Sequence, residues 1–110
     1  MYTNRVNWET MQRFDTSTLT GSYQFFPSPL SFPSYILKMV NTSSSIVVIS
    51  INGVDDIDIL PGGSFWLYDE YKDLGREFLP AGTRIFVKLE TGSAATAGSL
   101  YLVSQYLVTN

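Results

Sequence analysis

Residues 45–68 read SIVVISINGVDDIDILPGGSFWLY, and the turns in this stretch decide the predicted fold. The Asn-Gly pair at 52–53 lies between two runs rich in Val and Ile. It is the strongest short signal for a β-hairpin, because both residues accept the positive φ angles of a type I′ turn. The Pro-Gly-Gly sequence at 61–63 predicts a second turn, which would fold residues 56–60 back towards residues 64–68. The stretch therefore predicts three consecutive antiparallel strands.

The rest of the chain continues this β pattern. Short runs rich in Val, Ile, Leu, Tyr and Phe are separated by Gly, Pro, Asn or Ser. They predict about eight strands, at residues 7–14, 22–26, 35–41, 46–51, 56–60, 64–68, 83–90 and 99–108. Residues 91–98 are interpreted as a mobile hairpin tip, and residues 69–78 as a loop. The number and spacing of the strands predict an all-β sandwich of jelly-roll type with antiparallel sheets.

The length of 110 residues corresponds to one ordinary domain. We expect residues 1–18 to form an N-terminal arm or a first strand, and residues 19–110 to form the β-sandwich domain. Because the chain has no cysteine, its stability must come from burial, hydrogen bonding or assembly. No apolar run is long enough to cross a bilayer, and no apolar signal region follows Met1. We therefore expect synthesis in the cytoplasm and no membrane partner.

The charge and the missing residue types argue against several classes of function. The chain has no histidine and no cysteine, which excludes Ser-His and Cys-His catalysis and the usual zinc sites. Its net charge is −3 with only seven Lys and Arg residues, and no basic stripe is present to bind a phosphate backbone. We expect no enzymatic activity, no cofactor and no nucleic-acid partner.

A dense acidic group, formed by Asp55, Asp56 and Asp58, follows the Asn-Gly pair. Calcium takes several oxygen ligands, and carboxylates on a loop could supply some of them. The spacing does not fit the helix-loop-helix calcium loop, and Asp56 and Asp58 would share a strand face from which Asp55 points away. The favoured interpretation is that these charges protect an edge strand from pairing with other chains. No metal site is predicted.

Two other groups could be catalytic in another context. A glycosidase needs two carboxylates across a cleft, and candidates exist at Glu70, Asp73, Glu77 and Glu90, but nothing in the sequence brings a pair of them together. The three serines at 43–45 have no histidine to activate them. They are interpreted as a turn in which the side chains bond to the local backbone.

Several predicted strands carry more apolar side chains than one core requires. In residues 83–90 the apolar positions share one side, except for Phe86. Residues 99–108 and 46–51 are apolar on both sides. A small domain has few places to bury both sides, which favours contact with another subunit. The alternative is that these strands lie centrally under loops, or that the outward residues are single exposed apolar groups.

The pattern of turns and strands resembles small β-sandwich proteins of tailed-bacteriophage virions. The resemblance lies in LTGSYQFF at 19–26, YILKMVNTSSSIVVISINGVDDIDILPGGSFWLYD at 35–69 and FLPAGTRIFVKLETGSAATAGSLYLVSQYLV at 78–108. The similarity is greatest to the head decoration, or cement, class. It implies a jelly-roll subunit made in the host cytoplasm, which forms homo-oligomers on the capsid exterior and bridges adjacent subunits of the major capsid protein. A tail, adaptor or fibre-base component would have a similar sequence.

Aromatic residues are the predicted contact positions, because they supply large buried areas at low entropy cost. The predicted contact residues are Trp8, Phe14, Trp66, Tyr68, Phe86, Tyr101 and Tyr106. Trp8 and Phe14 fall in the 1–18 segment and would lie either in the core or in an arm that reaches a neighbour. The alternative to protein contact is a carbohydrate-binding module for host attachment, with Trp66, Tyr68 and Tyr71 as its stacking platform.

Overall fold

The computed structural model describes residues 4–69 and 79–109. Within these ranges the chain forms nine β-strands, one short 3-10 turn at Thr16–Thr18 and no α-helix. The strands are β1 (Asn4–Trp8), β2 (Gln12–Asp15), β3 (Gln24–Phe25), β4 (Ile36–Asn41), β5 (Val47–Ser50), β6 (Asp58–Leu60), β7 (Phe65–Asp69), β8 (Phe86–Leu89) and β9 (Ser99–Thr109). Most of the predicted loop at 69–78 lies outside the described residues.

The strands form two antiparallel sheets that pack face to face. Sheet A has the order β1-β9-β4-β7, and β2 also pairs with β9; sheet B has the order β3-β8-β5-β6. From β2 onwards the chain changes sheet at every connection except the one between β5 and β6. Because β1 and β2 occupy one position, each sheet has four strand positions, as in a jelly roll. The predicted all-β sandwich of jelly-roll type is confirmed.

The predicted first strand at 7–14 consists of two strands separated by a bulge. Trp8 pairs with Gln105 and Gln12 pairs with Leu102. Gln12 is four residues after Trp8, but their partners on β9 are only three residues apart. The first strand position therefore contains one extra, unpaired residue, which defines a bulge. Both strands belong to sheet A, so the described residues of the 1–18 segment form part of the sandwich rather than a free arm.

Only one of the predicted hairpins joins paired strands. β5 pairs with β6 as predicted, but the loop between them spans residues 51–57 instead of a two-residue type I′ turn. The amide oxygen Oδ1 of Asn52 stabilises this loop by accepting hydrogen bonds from the backbone N–H groups of Val54 (2.8 Å) and Asp55 (2.9 Å). The Asn-Gly pair thus lies in the connection between two paired strands, as predicted, but this connection is the whole loop at 51–57 and not a two-residue turn.

The predicted hairpin at 61–63 and the predicted hairpin tip at 91–98 are wrong, because both segments connect different sheets. β6 lies in sheet B and β7 in sheet A, and the same change of sheet separates β8 from β9. The segment 91–98 is held at several points. The hydroxyl of Ser45 donates to the backbone oxygen of Ala94 at 2.7 Å, and the backbone N–H of Ile46 donates to the hydroxyl of Ser93 at 2.9 Å.

The core lies between the two sheets, and alternation of buried and outward side chains is clear in β4 and β8, whereas all four residues of β5 are buried. In β4 the side chains of Leu37 and Met39 are buried, and their neighbours point outwards. In β8 the buried residue is Val87, preceded by buried Ile85 just outside the strand, so the inward side predicted for residues 83–90 is confirmed. Phe26 fills the space between the sheets and is fully buried.

A polar junction closes one end of the core, and we call Asn41, Ser43 and Ser45 the Asn41 junction. Oδ1 of Asn41 accepts hydrogen bonds from the backbone N–H (2.9 Å) and the hydroxyl (2.6 Å) of Ser43. Nδ2 of Asn41 donates to the backbone oxygen of Ser45 at 2.8 Å. All three residues are buried. The prediction that the serine side chains bond to the local backbone is confirmed for Ser43, whose hydroxyl accepts from the backbone N–H of Ser45 at 3.1 Å, while the hydroxyl of Ser45 bonds to the distant Ala94. This turn carries the chain from sheet A to sheet B.

Two glycines pack directly against the Asn41 junction. A Cβ atom at Gly62 would lie 2.8 Å from the backbone oxygen of Ser43, and a Cβ atom at Gly98 would lie 2.8 Å from the Cα of Ser43. No other residue type fits at such distances. Three crossings between the sheets therefore meet at this end of the sandwich.

We expect Asn41→Ala to lower the free energy of unfolding by about 2–4 kcal/mol, because it leaves buried partners of the amide unpaired. Denaturant titration measures this change. The matched control is Ser44→Ala, which alters an exposed side chain in the same turn and should change stability by less than about 0.5 kcal/mol. Equal effects of the two substitutions would show that the junction does not stabilise the fold.

Gly98→Ala should destabilise the protein more than Gly92→Ala. Both glycines have positive φ angles, +133° and +88°, but a Cβ atom at Gly92 would have no neighbour within 4 Å. Gly92→Ala therefore reports the backbone cost alone, about 1 kcal/mol, and the collision with Ser43 should add a further cost of about 1–3 kcal/mol at Gly98. Thermal unfolding of the two variants tests this order.

Candidate functional site

The outer surface of sheet A carries a continuous apolar area, which we call the A face. It is formed by outward side chains of three adjacent strands: Ile36 and Val40 of β4, Phe65 and Leu67 of β7, and Tyr101 and Val103 of β9. The strand register places Val40 between Phe65 and Tyr101. It also places Lys38 between Leu67 and Val103. The area is therefore a two-row patch of apolar groups on a sheet, with one cation inside it.

The A face is open to solvent at β7. Phe65 is 64% exposed and Leu67 is 54% exposed, although both are large apolar side chains. The ammonium of Lys38 lies 5.6 Å from the centre of the Phe65 ring and covers it only in part. Two large apolar side chains are thus exposed on one strand, and half-buried apolar side chains continue the patch on β4 and β9. An apolar patch of this kind can serve as a contact surface.

The outer surface of sheet B also carries aromatic residues, but they pack against one another. We call Tyr23, Phe25 and Phe86 the B cluster. The Phe86 ring meets Tyr23 and Phe25 edge to face, with ring centres 6.4 Å and 5.9 Å apart. The guanidinium of Arg84 lies 4.5 Å from the centre of the Phe25 ring, and the ammonium of Lys88 lies 4.5 Å from that of Tyr23. Phe86 is half-buried here by its own chain.

The B cluster ends in a charged link. The hydroxyl of Tyr23 donates a hydrogen bond to the carboxylate of Asp56, and Nζ of Lys88 lies 3.3 Å from the same carboxylate. Desolvation and the hydrogen bond to Asp56 raise the pKa of Tyr23 to about 12. The hydrogen bond from Tyr23, followed by the charge of Lys88, lowers the pKa of Asp56. The link joins the loop at 51–57 to β8 and β3.

The other acidic residues of the group have structural partners. Oδ2 of Asp55 accepts a hydrogen bond from the side chain of Asn52 at 2.9 Å. Oδ2 of Asp58 accepts one from Nε1 of Trp66 at 2.8 Å, which joins sheet B to sheet A. β6, which contains Asp58, is an edge strand of sheet B, as expected for these charges.

Neither of the chemical sites weighed from the sequence is assembled in the described part of the chain. Among residues 4–69 and 79–109, no three His, Cys, Asp or Glu side chains come together to hold a metal ion. Of the four carboxylates considered for glycoside hydrolysis, Glu70, Asp73 and Glu77 lie outside the described residues, while Glu90 follows β8.

Four predicted contact residues lie at or near the surface, but at different places. Trp8 is 59% exposed at the end of β1, and Tyr101 belongs to the A face. Phe86 belongs to the B cluster. Tyr106 is half-buried and stacks on Phe32, with ring centres 3.9 Å apart. Trp8 and Tyr101 share the outer side of sheet A, because Trp8 pairs with Gln105, which lies on the same side of β9 as Tyr101. Phe86 and Tyr106 lie elsewhere, so the four positions do not form one common surface.

The other three predicted contact residues pack on or within the core. Trp66 is 8% exposed, because β7 places it opposite Met39 between the sheets. Tyr68 is half-buried and stacks on Trp66, with ring centres 6.1 Å apart, and the half-buried ring of Phe14 packs edge to face on Phe26. Trp66 and Tyr68 line a small pocket, but little of the Trp66 ring reaches solvent, and the sugar platform stays a prediction. Tyr71 lies outside the described residues.

The exposed residues of β7, Phe65 and Leu67, were missed from the sequence. The alternation in SFWLYD does separate Phe65 and Leu67 from Trp66 and Tyr68. Because both sides are apolar, the prediction chose Trp66 and Tyr68 as the outward residues. The alternation is visible in the sequence, but only the structure, in which Trp66 lies opposite buried Met39 of β4, shows which side of β7 is buried.

Comparison with known proteins gave no match: no family model, no curated protein and no solved structure matches this chain. The resemblance to virion decoration proteins therefore stays a prediction. No helix in the described part of the chain has the length and hydropathy needed to span a membrane.

Asp56→Asn should lower the pKa of Tyr23 from about 12 towards the ordinary value of 10. Ultraviolet absorbance of tyrosinate during a pH titration measures the Tyr23 pKa, and Tyr23→Phe identifies the Tyr23 signal.

The pH dependence of the free energy of unfolding follows from the raised pKa of Tyr23 and the lowered pKa of Asp56. The link stabilises the fold above the usual pKa of Asp and below that of Tyr, and its contribution is lost as pH falls through the lowered Asp56 pKa or rises through about 12. An unchanged Tyr23 titration in Asp56→Asn would contradict this coupling.

Proposed function

We propose that this protein is a non-enzymatic structural component of a bacteriophage virion, which decorates and stabilises the capsid by bridging adjacent subunits of the major capsid protein. The observation that carries the proposal is the A face, an apolar surface on three adjacent strands that the described part of the chain does not cover. The proposed contact surface is this face.

The size of the exposed side chains on the A face is consistent with a contact whose binding free energy is small for one subunit pair and adds up over many pairs. Burying a Phe or Leu side chain fully contributes about 1.5–3 kcal/mol, and Phe65 and Leu67 each have more than half of that surface available. Association costs remove part of this gain. A subunit that binds neighbouring copies of a shell protein adds the contributions of several such contacts, and a ligand of the assembled lattice stabilises that lattice.

The shape and charge of the A face define the partner further. A sheet surface with outward side chains suits another protein surface, whereas small molecules are usually bound in concave sites. Lys38 lies inside the apolar rows, so a complementary partner would place a carboxylate opposite its ammonium. We therefore expect an apolar partner surface that contains an acidic residue.

The contrast with sheet B supports the choice of the A face. On sheet B, ring contacts and the side chain of Lys88 leave Tyr23 and Phe86 half-buried, although Phe25 stays 49% exposed beside Arg84. Those contacts already remove apolar area from water within one subunit. On the A face Phe65 and Leu67 are 64% and 54% exposed, and Lys38 covers the Phe65 ring only in part.

The fold and the sequence resemblance agree with the proposal by analogy. The jelly roll is used by viral capsid proteins, although a shared fold does not by itself define a function. The resemblance to decoration proteins implies a homo-oligomer on the capsid exterior, and we include self-association in the proposal. The solution mass of the purified chain tests that part directly.

Leu67→Glu should abolish or weaken binding to shells by at least about tenfold, because it places a charge in the apolar contact. The new carboxylate lies opposite Lys38 in the strand register, so the subunit should still fold. Co-sedimentation with capsids that lack the protein, together with the heat resistance of those capsids, measures the effect.

The matched control is Ile59→Lys. Ile59 is 47% exposed on sheet B, and its new ammonium would lie among Asp56, Asp58 and Glu90. This variant should bind shells as the parent does. A folded parent protein that ignores shells, or that binds tails instead, would overturn the decoration role. Equal loss of shell binding in both variants would overturn the assignment to the A face.

A further inference from the structure

A cleft opens where the bulge between β1 and β2 faces the proline-rich loop at 27–33, and we call it the bulge cleft. Residues 8–13 form one wall, the proline-rich loop forms the other, and Tyr106 contributes from β9. Its volume is about 610 Å³. This lies in the range of sites that enclose a small organic ligand.

Hydrogen bonds hold the two walls of the bulge cleft in place. The side chain of Gln12 donates to the backbone oxygen of Ser28 at 2.9 Å and accepts from its backbone N–H at 3.0 Å. The two carboxylate oxygens of Glu9 accept from the backbone N–H groups of Ser31 (2.9 Å) and Phe32 (3.2 Å). The cleft is therefore formed before a ligand arrives, which reduces the entropy cost of binding.

Aromatic and apolar residues line the bulge cleft, and of these Phe32 is 43% exposed while Tyr106 is half-buried. The rings of Phe32 and Tyr106 stack with centres 3.9 Å apart and planes 13° from parallel. Trp8 and Met11 also line the cleft and are 59% and 56% exposed. Exposed apolar groups in a concave site gain free energy when a ligand covers them.

The remaining lining groups are polar but carry little net charge. Hydroxyl groups are present on Thr10, Ser28 and Ser31. The charged residues are Glu9 and Arg13, whose charges balance. A ligand that fits this lining needs an apolar face for the aromatic groups and several hydroxyls for the polar groups, with no strong charge.

We propose that the bulge cleft binds a neutral oligosaccharide, with a sugar ring packed on the aromatic side chains and its hydroxyls bonded to the polar wall. A sugar ring has apolar C–H groups on its faces and hydroxyls at its edge, which matches this lining. The inference goes beyond the proposed capsid role. The bulge cleft adjoins the A face, because Trp8 pairs with Gln105 and so shares the outer side of sheet A with Ile36, while Phe32 belongs to the cleft alone.

Other ligand classes fit the bulge cleft less well. A nucleic-acid strand requires several cations along its phosphates, and among the described residues that line the cleft the one cation is Arg13. A lipid chain would leave the hydroxyl groups of the wall without partners. A proline-rich peptide also docks on aromatic residues, but it has few groups to bond with three hydroxyls.

The test is a screen of the full chain against neutral oligosaccharides of hexoses and N-acetylhexosamines, followed by calorimetric titration of each sugar that binds. We expect saturable binding that is weakened at least about tenfold by Trp8→Ala and by Phe32→Ala, because both remove stacking area. Trp8→Phe should retain most of the binding, which separates lost stacking from lost folding. Phe65→Ala, on the A face, is the matched control and should bind as the parent does.

The possible results separate the two proposals. Absence of binding to every neutral sugar, or binding that survives Trp8→Ala and Phe32→Ala, would overturn the oligosaccharide site. Binding of a proline-rich peptide in place of sugars would overturn it in favour of peptide recognition. A protein that binds sugars but ignores shells would support the bulge cleft and overturn the capsid role.

Discussion

The buried amide of Asn41 determines how the two sheets are joined, and the rest of the fold depends on it. This one side chain bonds to both ends of the turn between β4 and β5, where the chain passes from sheet A to sheet B. An unpaired amide in the core would cost free energy, so the turn is restricted to this arrangement. Gly62 and Gly98 allow two further connections between the sheets to pack closely against the same turn. The junction thereby sets the positions of the strands on either side.

The two outer surfaces of the sandwich differ in how far their own chain covers the aromatic side chains: Phe86 on sheet B is half-buried, whereas Phe65 on sheet A is 64% exposed. On sheet B, Phe86 contacts two rings, and Lys88 and Asp56 complete the cover. On sheet A, Phe65 and Leu67 lie on the edge strand β7, where no neighbouring strand follows in the described residues. The same type of residue therefore stabilises the subunit on one surface and is available for contact on the other. The proposed capsid role rests on this difference.

One additional residue in the first strand position has a large structural effect. The bulge between β1 and β2 breaks the pairing with β9 and turns the side chains of Glu9 and Gln12 towards the loop at 27–33. Their hydrogen bonds tie that loop to the bulge, and the bulge cleft lies between the two. The proposed oligosaccharide site thus depends on how β1 and β2 pair with β9, and no short sequence motif predicts it.

Local sequence patterns are enough to predict that the chain is all β, where it turns and which residues share a strand face, because alternation and turn chemistry are local properties. They could not assign strands to sheets, since the Pro-Gly-Gly sequence at 61–63 suits a hairpin and a crossing equally well. Nor could they orient β7, where Phe65 and Trp66 lie on opposite sides and both sides are apolar. The tertiary structure decided that Trp66 faces Met39 in the core. Burial depends on strands that are distant in sequence, and that information is absent from any local pattern.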